Sequence, residues 1–373
     1  MVPTQRLPAS LTPLDVARAA LLQRVAPVAP VELPLADALG CVAAEMPPLK
    51  QLPPRDVAAL DGWALRARDL VGASSYSPLP LSKPPVWVDA GDPMPTECDC
   101  VIDAGGVDQS GPLLQALVEA TPGHGVRRTG GDIAEPSKYL ALGRQLRPLD
   151  LLIARSEGLD TFSVRRPRLR VVDIPASSGR AVTATLISEN ARGAGAEIVD
   201  AKAEGRDVTS IASALDSRAC DLLVTIGGTG VGRNDATIMA LAKCGEVIAH
   251  GIALQPGRTA ALGRIGDIPV VALPGAPDGA LAAWWTLALP VLDVLSGLWP
   301  RQPLTLPLKR KVASSVGITE LVLLEQIEDA WMPLAVGELS LEAIARADGW
   351  LAVPGASEGF AAGTPVGAYM LRV

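Results

Sequence analysis

The sharpest chemical signal in this chain is the run Leu222-Leu223-Val224-Thr225-Ile226-Gly227-Gly228-Thr229-Gly230-Val231-Gly232-Arg233-Asn234-Asp235-Ala236-Thr237. An apolar strand runs into four glycines and a helix begins at once. Glycine lets backbone N–H groups crowd around an anion, and a helix N-terminus adds partial positive charge. Thr229 offers a hydroxyl to the same ligand. No Gly-Lys-Ser/Thr follows, so this is not a Walker loop, and it is not a GxGxxG fingerprint. Asp235 stands near the helix start, where a carboxylate caps N–H groups. A capped helix after a tight turn is therefore the structural alternative, but one turn rarely needs four glycines.

Two more sharp turns belong to the same region. Gln255-Pro256-Gly257-Arg258-Thr259 precedes a strand, and Leu273-Pro274-Gly275-Ala276-Pro277 follows one. Loops at the carboxyl ends of parallel strands are where α/β sheets bind ligands. Arg258 can hold a phosphate or an oxyanion in its planar fork, or it can be plain surface. Upstream, Asp56-Val57-Ala58-Ala59-Leu60-Asp61-Gly62-Trp63-Ala64 sets two acids beside small residues. Gly130-Gly131-Asp132-Ile133 follows Arg127-Arg128. Taken singly these segments are weak signals.

The elements that must position these residues follow from periodicity. Apolar residues at helical spacing predict a helix over Thr12 to Val25, with Thr12 as its cap. Leu33 to Glu45 reads as a strand or turn followed by a second helix. Pro47, Pro48, Pro53 and Pro54 make the next stretch extended. Val86 to Val88, Cys100 to Ile102 and Leu114 to Val118 are strands of a small β-rich unit, and Leu149 to Gly158 is a short helix. From Arg168 the chain alternates: strand Leu169 to Ile174, helix around Asn190 to Ala196, strand Ala196 to Val199, helix Thr209 to Leu215, strand Leu222 to Ile226, helix Asp235 to Lys243, strand Val270 to Leu273 and a long helix through Leu289. That alternation predicts a parallel α/β layer. After the linker Trp299 to Pro303, the segments Leu304 to Val312, Glu320 to Ile327, Trp350 to Val353 and Val366 to Arg372 predict a small β barrel or sandwich.

Composition sets limits. The 373 residues are 49% hydrophobic and 20% charged, which is globular rather than disordered. Lys+Arg 33 against Asp+Glu 40 gives a net charge of -7. With 3% aromatic residues there is neither a basic face nor a base-stacking platform for nucleic acid. Arg127-Arg128 and Arg165-Arg166 could still meet a small anion. Five dispersed cysteines fit buried thiols in a reducing cytosol better than a disulfide framework. Neither His124 nor His250 lies in a recognisable catalytic context. The most apolar stretch, Ala280 to Leu292, is too short to cross a bilayer and is broken by Pro290, so a buried helix explains it better. A soluble, cytoplasmic protein without membrane or nucleic-acid partners is expected.

In their order along the chain, these motifs are specific. The chain resembles the MoeA type of molybdopterin molybdenumtransferase, the family that includes the gephyrin E domain. Leu33 to Gly40 looks like the family's opening helix. Asp56 to Ala64 is similar to its Asp-Asn-Ser-Ala-Met-Asp-Gly-Tyr-Ala signature, and Ala90 to Pro95 with Cys98 to Ile102 resembles its Thr-Gly-Ala-x-x-Pro segment and following strand. Val126 to Ile133 looks like Val-Arg-x-x-Gly-x-Asp-Ile. Gly227 to Thr237 matches the glycine loop, Pro256-Gly257-Arg258 matches Pro-Gly-Lys, and Leu273 to Pro277 matches Leu-Pro-Gly-Asn-Pro. The pattern departs at Ala90 for Thr and at Ala276 for Asn. It departs also at Asp173 to Gly179, where an acidic pair is missing that Asp173 or Glu189 would have to replace, and at Thr229-Gly230, which is closer to the MogA type.

The resemblance implies a multidomain α/β protein: an extended N-terminal domain (1–45 and 126–167), an inserted β-rich domain (46–125), a MogA-like α/β domain (168–298) and a C-terminal β-barrel-like domain (304–373). It implies an elongated homodimer, with the ligand held between the α/β domain of one subunit and the N-terminal part of the other. The substrates would be adenylylated molybdopterin and molybdate, used with Mg²⁺, and AMP would leave. Asp61, Asp132 and Asp235 would be catalytic, with Asp235 and Asp61 on the metal. Gly227, Gly228, Thr229, Gly230, Gly232, Pro256, Gly257, Arg258, Pro274 and Gly275 would bind substrate. A molybdoenzyme or another cofactor-biosynthesis protein would be the downstream partner. A non-catalytic pterin carrier or insertion protein, and a scaffold that binds no pterin, are the alternatives from other classes.

Overall fold

The computed structural model describes residues 5–45, 48–134, 142–175 and 181–371. The chain forms two compact units. One comprises Met1–Glu45, Ala141–Leu152 and Asp160–Val373, and the other Met46–Leu140 and Ile153–Leu159.

The larger unit is built on a six-stranded sheet in the order Glu197–Lys202, Arg168–Asp173, Leu222–Ile226, Ile268–Leu273, Ala261–Ile265, Glu246–His250. The first four strands are parallel, and the last two add antiparallel at one edge. Both faces of the central strands are covered. Leu222, Val224 and Ile226 belong to one core cluster, whereas Leu223 belongs to another. This explains the unbroken apolar run in a strand that buries side chains on both sides. The helix Val182–Gly193 covers the first face through Ala184, Ile187 and Ala191. The helices Val208–Ala214 and Thr237–Cys244 cover the second through Ile211, Ala240 and Leu241. The helices that follow Arg168–Asp173 and Leu222–Ile226 therefore lie on opposite faces, which opens a crevice at the carboxyl ends of the strands.

The long apolar helix runs continuously from Pro277 to Ser296, and 78% of its most apolar window is buried in the fold. Pro290 does not break it. Proline lacks the N–H that an α-helix needs, and the turn Trp284–Ala288 just before it is widened to π geometry. A second sheet follows the order Thr12–Pro13, Ile252–Gln255, Thr319–Ile327, Gly349–Val353, Pro365–Met370, Leu304–Pro307, with Ala330–Val336 paired to Thr319–Ile327. A single bridge joins Leu308 to Trp331. Val322, Leu324, Trp331, Leu351 and Val353 form the core of this C-terminal part. The strand Ala330–Val336 and the helix Leu341–Arg346 have no counterpart in the sequence reading.

Two expected helices differ. The first spans only Leu14–Leu22, and Thr12 does not cap it. Thr12 and Pro13 are extended and pair in parallel with Ile252 and Ala253. The second, expected after a strand or turn within Leu33 to Glu45, does not form, although the strand and turn do. Val31–Pro34 and Val42–Ala43 are strands against Thr161–Arg165, and Gly40 at φ +78° ends the turn between them. The expected helix around Asn190 to Ala196 ends at Gly193, and the strand after it is Glu197–Lys202.

The smaller unit holds three small sheets: Val86–Val88, Gly62–Leu65, Cys100–Asp103; Leu79–Pro80, Gln115–Ala116, Val107–Asp108; and the pair Val57–Ala58 with Val126–Arg127. Leu65, Leu70, Cys100, Ile102 and Val107 form its main core. Gly62 lies so close to the Ile102 carbonyl that any side chain there would collide with backbone.

Candidate functional site

The glycine loop is held by its carbonyls. Thr237 Oγ1 donates to Gly227 O at 2.9 Å. Gln5 Nε2 donates to Gly228 O at 2.8 Å and to Gly230 O at 2.5 Å. His250 Nε2 lies 3.0 Å from Thr229 O, and since a carbonyl only accepts, this ring nitrogen carries the proton. Four consecutive carbonyls are thus fixed by the protein's own donors. In a trans peptide the C=O and N–H of one plane point in opposite directions. The amides of Gly228, Thr229, Gly230 and Val231 are therefore turned away from those donors, and no described residue accepts from them. Gly227, Gly228 and Thr229 are buried. Buried amides without acceptors are costly, so those of Gly228 and Thr229 call for an acceptor beyond the described residues, while Gly230 is half-buried and Val231 exposed.

Not every amide of the segment is open. Gly227 N donates to Leu273 O at 3.0 Å, and Gly232 N to Asp235 Oδ2 at 2.9 Å. The helix start is also used internally: Thr237 N donates to Gly228 O at 3.1 Å and Ile238 N to Gln5 Oε1 at 3.1 Å. The expectation that Asp235 caps this helix is not met. The cap position is Ala236, with no side-chain cap bond, and Asp235 braces the loop instead. Its Oδ1 accepts from Arg206 Nη2 at 3.0 Å. Arg206 also donates to Pro175 O at 2.8 Å and to Asn234 O at 3.3 Å.

The other two turns meet the glycine loop. Thr229 Oγ1 and Thr259 Oγ1 are 3.2 Å apart. Gly227 and Gly275 pack backbone on backbone: a Cβ on Gly275 would lie 3.4 Å from Gly227 Cα. A Cβ on Gly257, at φ +117°, would lie 3.3 Å from Gly279 O, and one on Gly279 3.3 Å from the Pro274 ring. Pro256 and Gly257 are buried, whereas Arg258 is exposed and makes no ion pair with a described residue. Ala276 occupies the cap position of the long helix, and no side chain caps its N–H groups. An Asn there would serve as such a cap, so this departure removes a helix cap from the edge of the loop cluster.

Asp173 ends its strand beside the crevice. It lines a cavity of about 370 Å³ with Thr185, Ser188, Arg192, Asp200 and Lys202. Burial pushes its carboxyl up, against the opposing pull of Lys202. The rest of the expected acidic segment, Ala176, Ser177, Ser178 and Gly179, lies outside the described residues.

The smaller unit brings its three motifs together. Val57–Ala58 pairs with Val126–Arg127, and Ala58 N donates to Asp92 O at 2.9 Å. Leu52 bridges Ile133. Asp61 Oδ1 accepts from Ala90 N at 2.7 Å. Asp56 Oδ1 accepts from both Thr129 N and Thr129 Oγ1 at 2.7 Å, and those bonds hold its carboxyl below the usual range. Asp132 Oδ2 pairs with Arg127 Nη1 at 3.3 Å, so Arg127 is not a free anion ligand. Arg165 Nε likewise donates to Val28 O. All five cysteines are free thiols, with burial pushing Cys100 up to about 12 and Cys220 up to about 11. Among the described residues no group of three His, Cys, Asp or Glu side chains is placed to enclose a metal.

Gln5, His250 and Arg206 are the site residues the sequence did not reveal. Each acts through distant backbone: Gln5 is 223 residues from Gly228. No local spacing encodes such a pairing.

Known proteins bear on this architecture. Residues 12–158 match the family model of the MoeA N-terminal region (domain I and II), and residues 176–294 match that of a probable molybdopterin binding domain. Molybdopterin molybdenumtransferase 2 of Mycobacterium tuberculosis is 31% identical over 312 residues, covering 72% of this chain and 76% of that protein. The molybdopterin molybdenumtransferase of Haemophilus influenzae is 28% identical over 328 residues, 78% of this chain and 80% of the other. In fold, the chain is similar to a molybdopterin biosynthesis MoeA protein of Pyrococcus horikoshii, with TM-score 0.71, 24% identity and coverage of 98% and 100%. Ordered motifs, matched domains and relatives agree: this chain belongs to the MoeA-type molybdopterin molybdenumtransferase family.

Proposed function

We propose that this protein works in molybdenum cofactor biosynthesis, placing molybdenum from molybdate onto the dithiolene of adenylylated molybdopterin with release of AMP. The observation that carries this reading is the row of four amides, Gly228 to Val231, whose carbonyls the fold itself anchors. Such a nest suits the phosphate or pyrophosphate of the adenylate. Thr229 Oγ1 and the exposed guanidinium of Arg258 add a hydroxyl and a planar cation on adjoining loops. Gly230, Gly232, Pro256, Gly257, Pro274 and Gly275 let the loops approach closely enough for the ligand to lie against backbone.

Mg²⁺ takes one or two carboxylates and completes its shell with phosphate oxygens and water. Asp235 fits that pattern as one ligand: each oxygen accepts one hydrogen bond and keeps a lone pair. Asp61 would be the second ligand and Asp132 a supporting acid, by their places in the family motifs. Bound there, Mg²⁺ would polarise the phosphoanhydride. The chain's own part is to fix the phosphates with amides and to hold Asp235 in place through Arg206.

The domain division 1–45 with 126–167, 46–125, 168–298 and 304–373 belongs to the same proposal, as do the homodimer, the cytoplasmic setting and a molybdoenzyme or cofactor-biosynthesis partner. The Val322, Leu324 and Trp331 core belongs to the C-terminal part alone, although the largest core runs from the α/β sheet into Leu321, Leu323 and Trp350. The pairing of Val126–Arg127 with Val57–Ala58 ties that stretch to the inserted unit. The Leu308–Trp331 bridge favours a barrel-like C-terminal domain.

A second reading, a pterin carrier, is favoured by one observation: both Asp235 oxygens already have partners in the chain. Incubation with adenylylated molybdopterin, molybdate and Mg²⁺, reading AMP release and cofactor formation separately, decides between them. Binding without AMP release selects the carrier. Asp235→Asn should abolish metal-dependent AMP release while the fold persists, and unchanged release would reject its role.

A further inference from the structure

We propose that Gln5 is a positioning residue for the anion site, and that the segment around it is a strap that holds the glycine loop open to ligand. This deepens the reading above and rests on it. The Gln5 side chain is buried, with 7% of the residue exposed. Its one carboxamide makes three bonds. Oε1 accepts from Ile238 N, while Nε2 donates to Gly228 O and Gly230 O. The acceptor half takes an N–H in the first turn of the following helix. The donor half fixes two carbonyls and so aims the amides of Thr229 and Val231 the other way.

The segment that presents Gln5 is itself seated. Leu7, Pro8 and Leu11 crowd Gly251, where a Cβ would come within 3.0–3.1 Å of each. Thr12 N donates to Gly251 O at 2.9 Å, and Thr12–Pro13 pairs with Ile252–Ala253. The same segment therefore lies along His250, which fixes Thr229 O, and along the strand that leads to Pro256-Gly257-Arg258. One extended piece of chain contacts the supports of two ligand loops. Without Gln5, Gly228 O keeps a second donor in Thr237 N, but Gly230 O keeps none among the described residues, so its peptide plane would rotate and the Val231 amide would lose its aim. Order imposed in advance is what a ligand would otherwise have to supply on binding.

The test uses the full-length protein with ¹⁵N labelling. Inorganic pyrophosphate is the probe, read by amide shifts of Gly228 to Val231 and by calorimetric affinity. Wild type should shift those amides. Gln5→Ala should weaken binding at least tenfold while the spectrum elsewhere stays that of the folded protein. Gln5→Glu keeps an acceptor for Ile238 N–H but has no donor for the two carbonyls, and it should bind as weakly as Gln5→Ala. Wild-type affinity in Gln5→Glu would reduce Gln5 to a helix cap and overturn the inference. Equal shifts in wild type and Gln5→Ala would overturn it while leaving the anion site intact. An absence of shifts in wild type would overturn both.

Discussion

A ligand site built from main-chain amides depends on side chains that never touch the ligand. Thr237, His250 and Gln5 each hold a carbonyl of the glycine loop. Arg206 neutralises Asp235 beneath that loop and ties it to Pro175. Asp173 illustrates the opposite balance, since burial outweighs the attraction of Lys202 and raises its proton affinity. The folded state then binds this proton more tightly than the unfolded chain does. Stability falls as pH rises from the unfolded value, about 3.9, through the raised folded value, and the penalty is constant above it. Asp173→Asn should therefore raise the thermal midpoint at neutral pH, and the gain should vanish at about pH 3. Melts at the two pH values check this, and an equal gain at both would show that the carboxylate's charge is not the cause.

Elements here are placed by local chemistry only where that chemistry is self-contained. The helix Pro148–Ser156 starts on proline at its first position, and Asp150 at its third reaches back to the preceding N–H. Asp150 Oδ2 accepts from Arg147 N at 2.8 Å and from Arg147 Nε at 3.1 Å. Burial raises the Asp150 carboxyl, but the Arg147 bonds outweigh it and the net shift is downward. The stabilisation is thus present above the unfolded carboxylate value and is lost as pH falls through the lower folded value. Asp150→Ala should cost about 0.5–2 kcal/mol, measured by urea denaturation at neutral pH, with a smaller cost in acid. The helix expected after the strand or turn within Leu33 to Glu45 lacks such support. Pro34 and the left-handed Gly40 close a turn instead, and the flanking segments pair with Thr161–Arg165.

At the scale of the molecule, two units carry separate cores. Leu70 is fully buried at 0% exposed in the smaller one. Leu70→Ala should destabilise that unit by about 2–5 kcal/mol, while the α/β sheet keeps its protection. Native-state hydrogen exchange resolves the two, and a uniform loss of protection across both units would count against independent cores. Within the larger unit, strand order does the functional work. The central pair Arg168–Asp173 and Leu222–Ile226 is followed by helices on opposite faces, and the crevice at the carboxyl ends of these strands is where the glycine loop sits.

The sequence by itself determined the family, the alternating strands and helices of the α/β layer, and the glycine loop, because each is encoded by neighbours in the chain. Apolar period, turn residues and motif order are local quantities. Leu222–Ile226 was legible to the residue, as were the turns at Pro256-Gly257 and Pro274-Gly275. Only the tertiary structure decided which amides of the loop stay open. That depends on where its carbonyls find donors, and the donors come from Gln5, Thr237 and His250, of which only Thr237 is near in sequence. The same reason explains the misplaced cap and the missing second helix. A carboxylate takes the strongest partner that folding brings within reach, and Asp235 found Arg206. A short segment takes whichever pairing its neighbours offer, and residues 31–43 found the strand Thr161–Arg165.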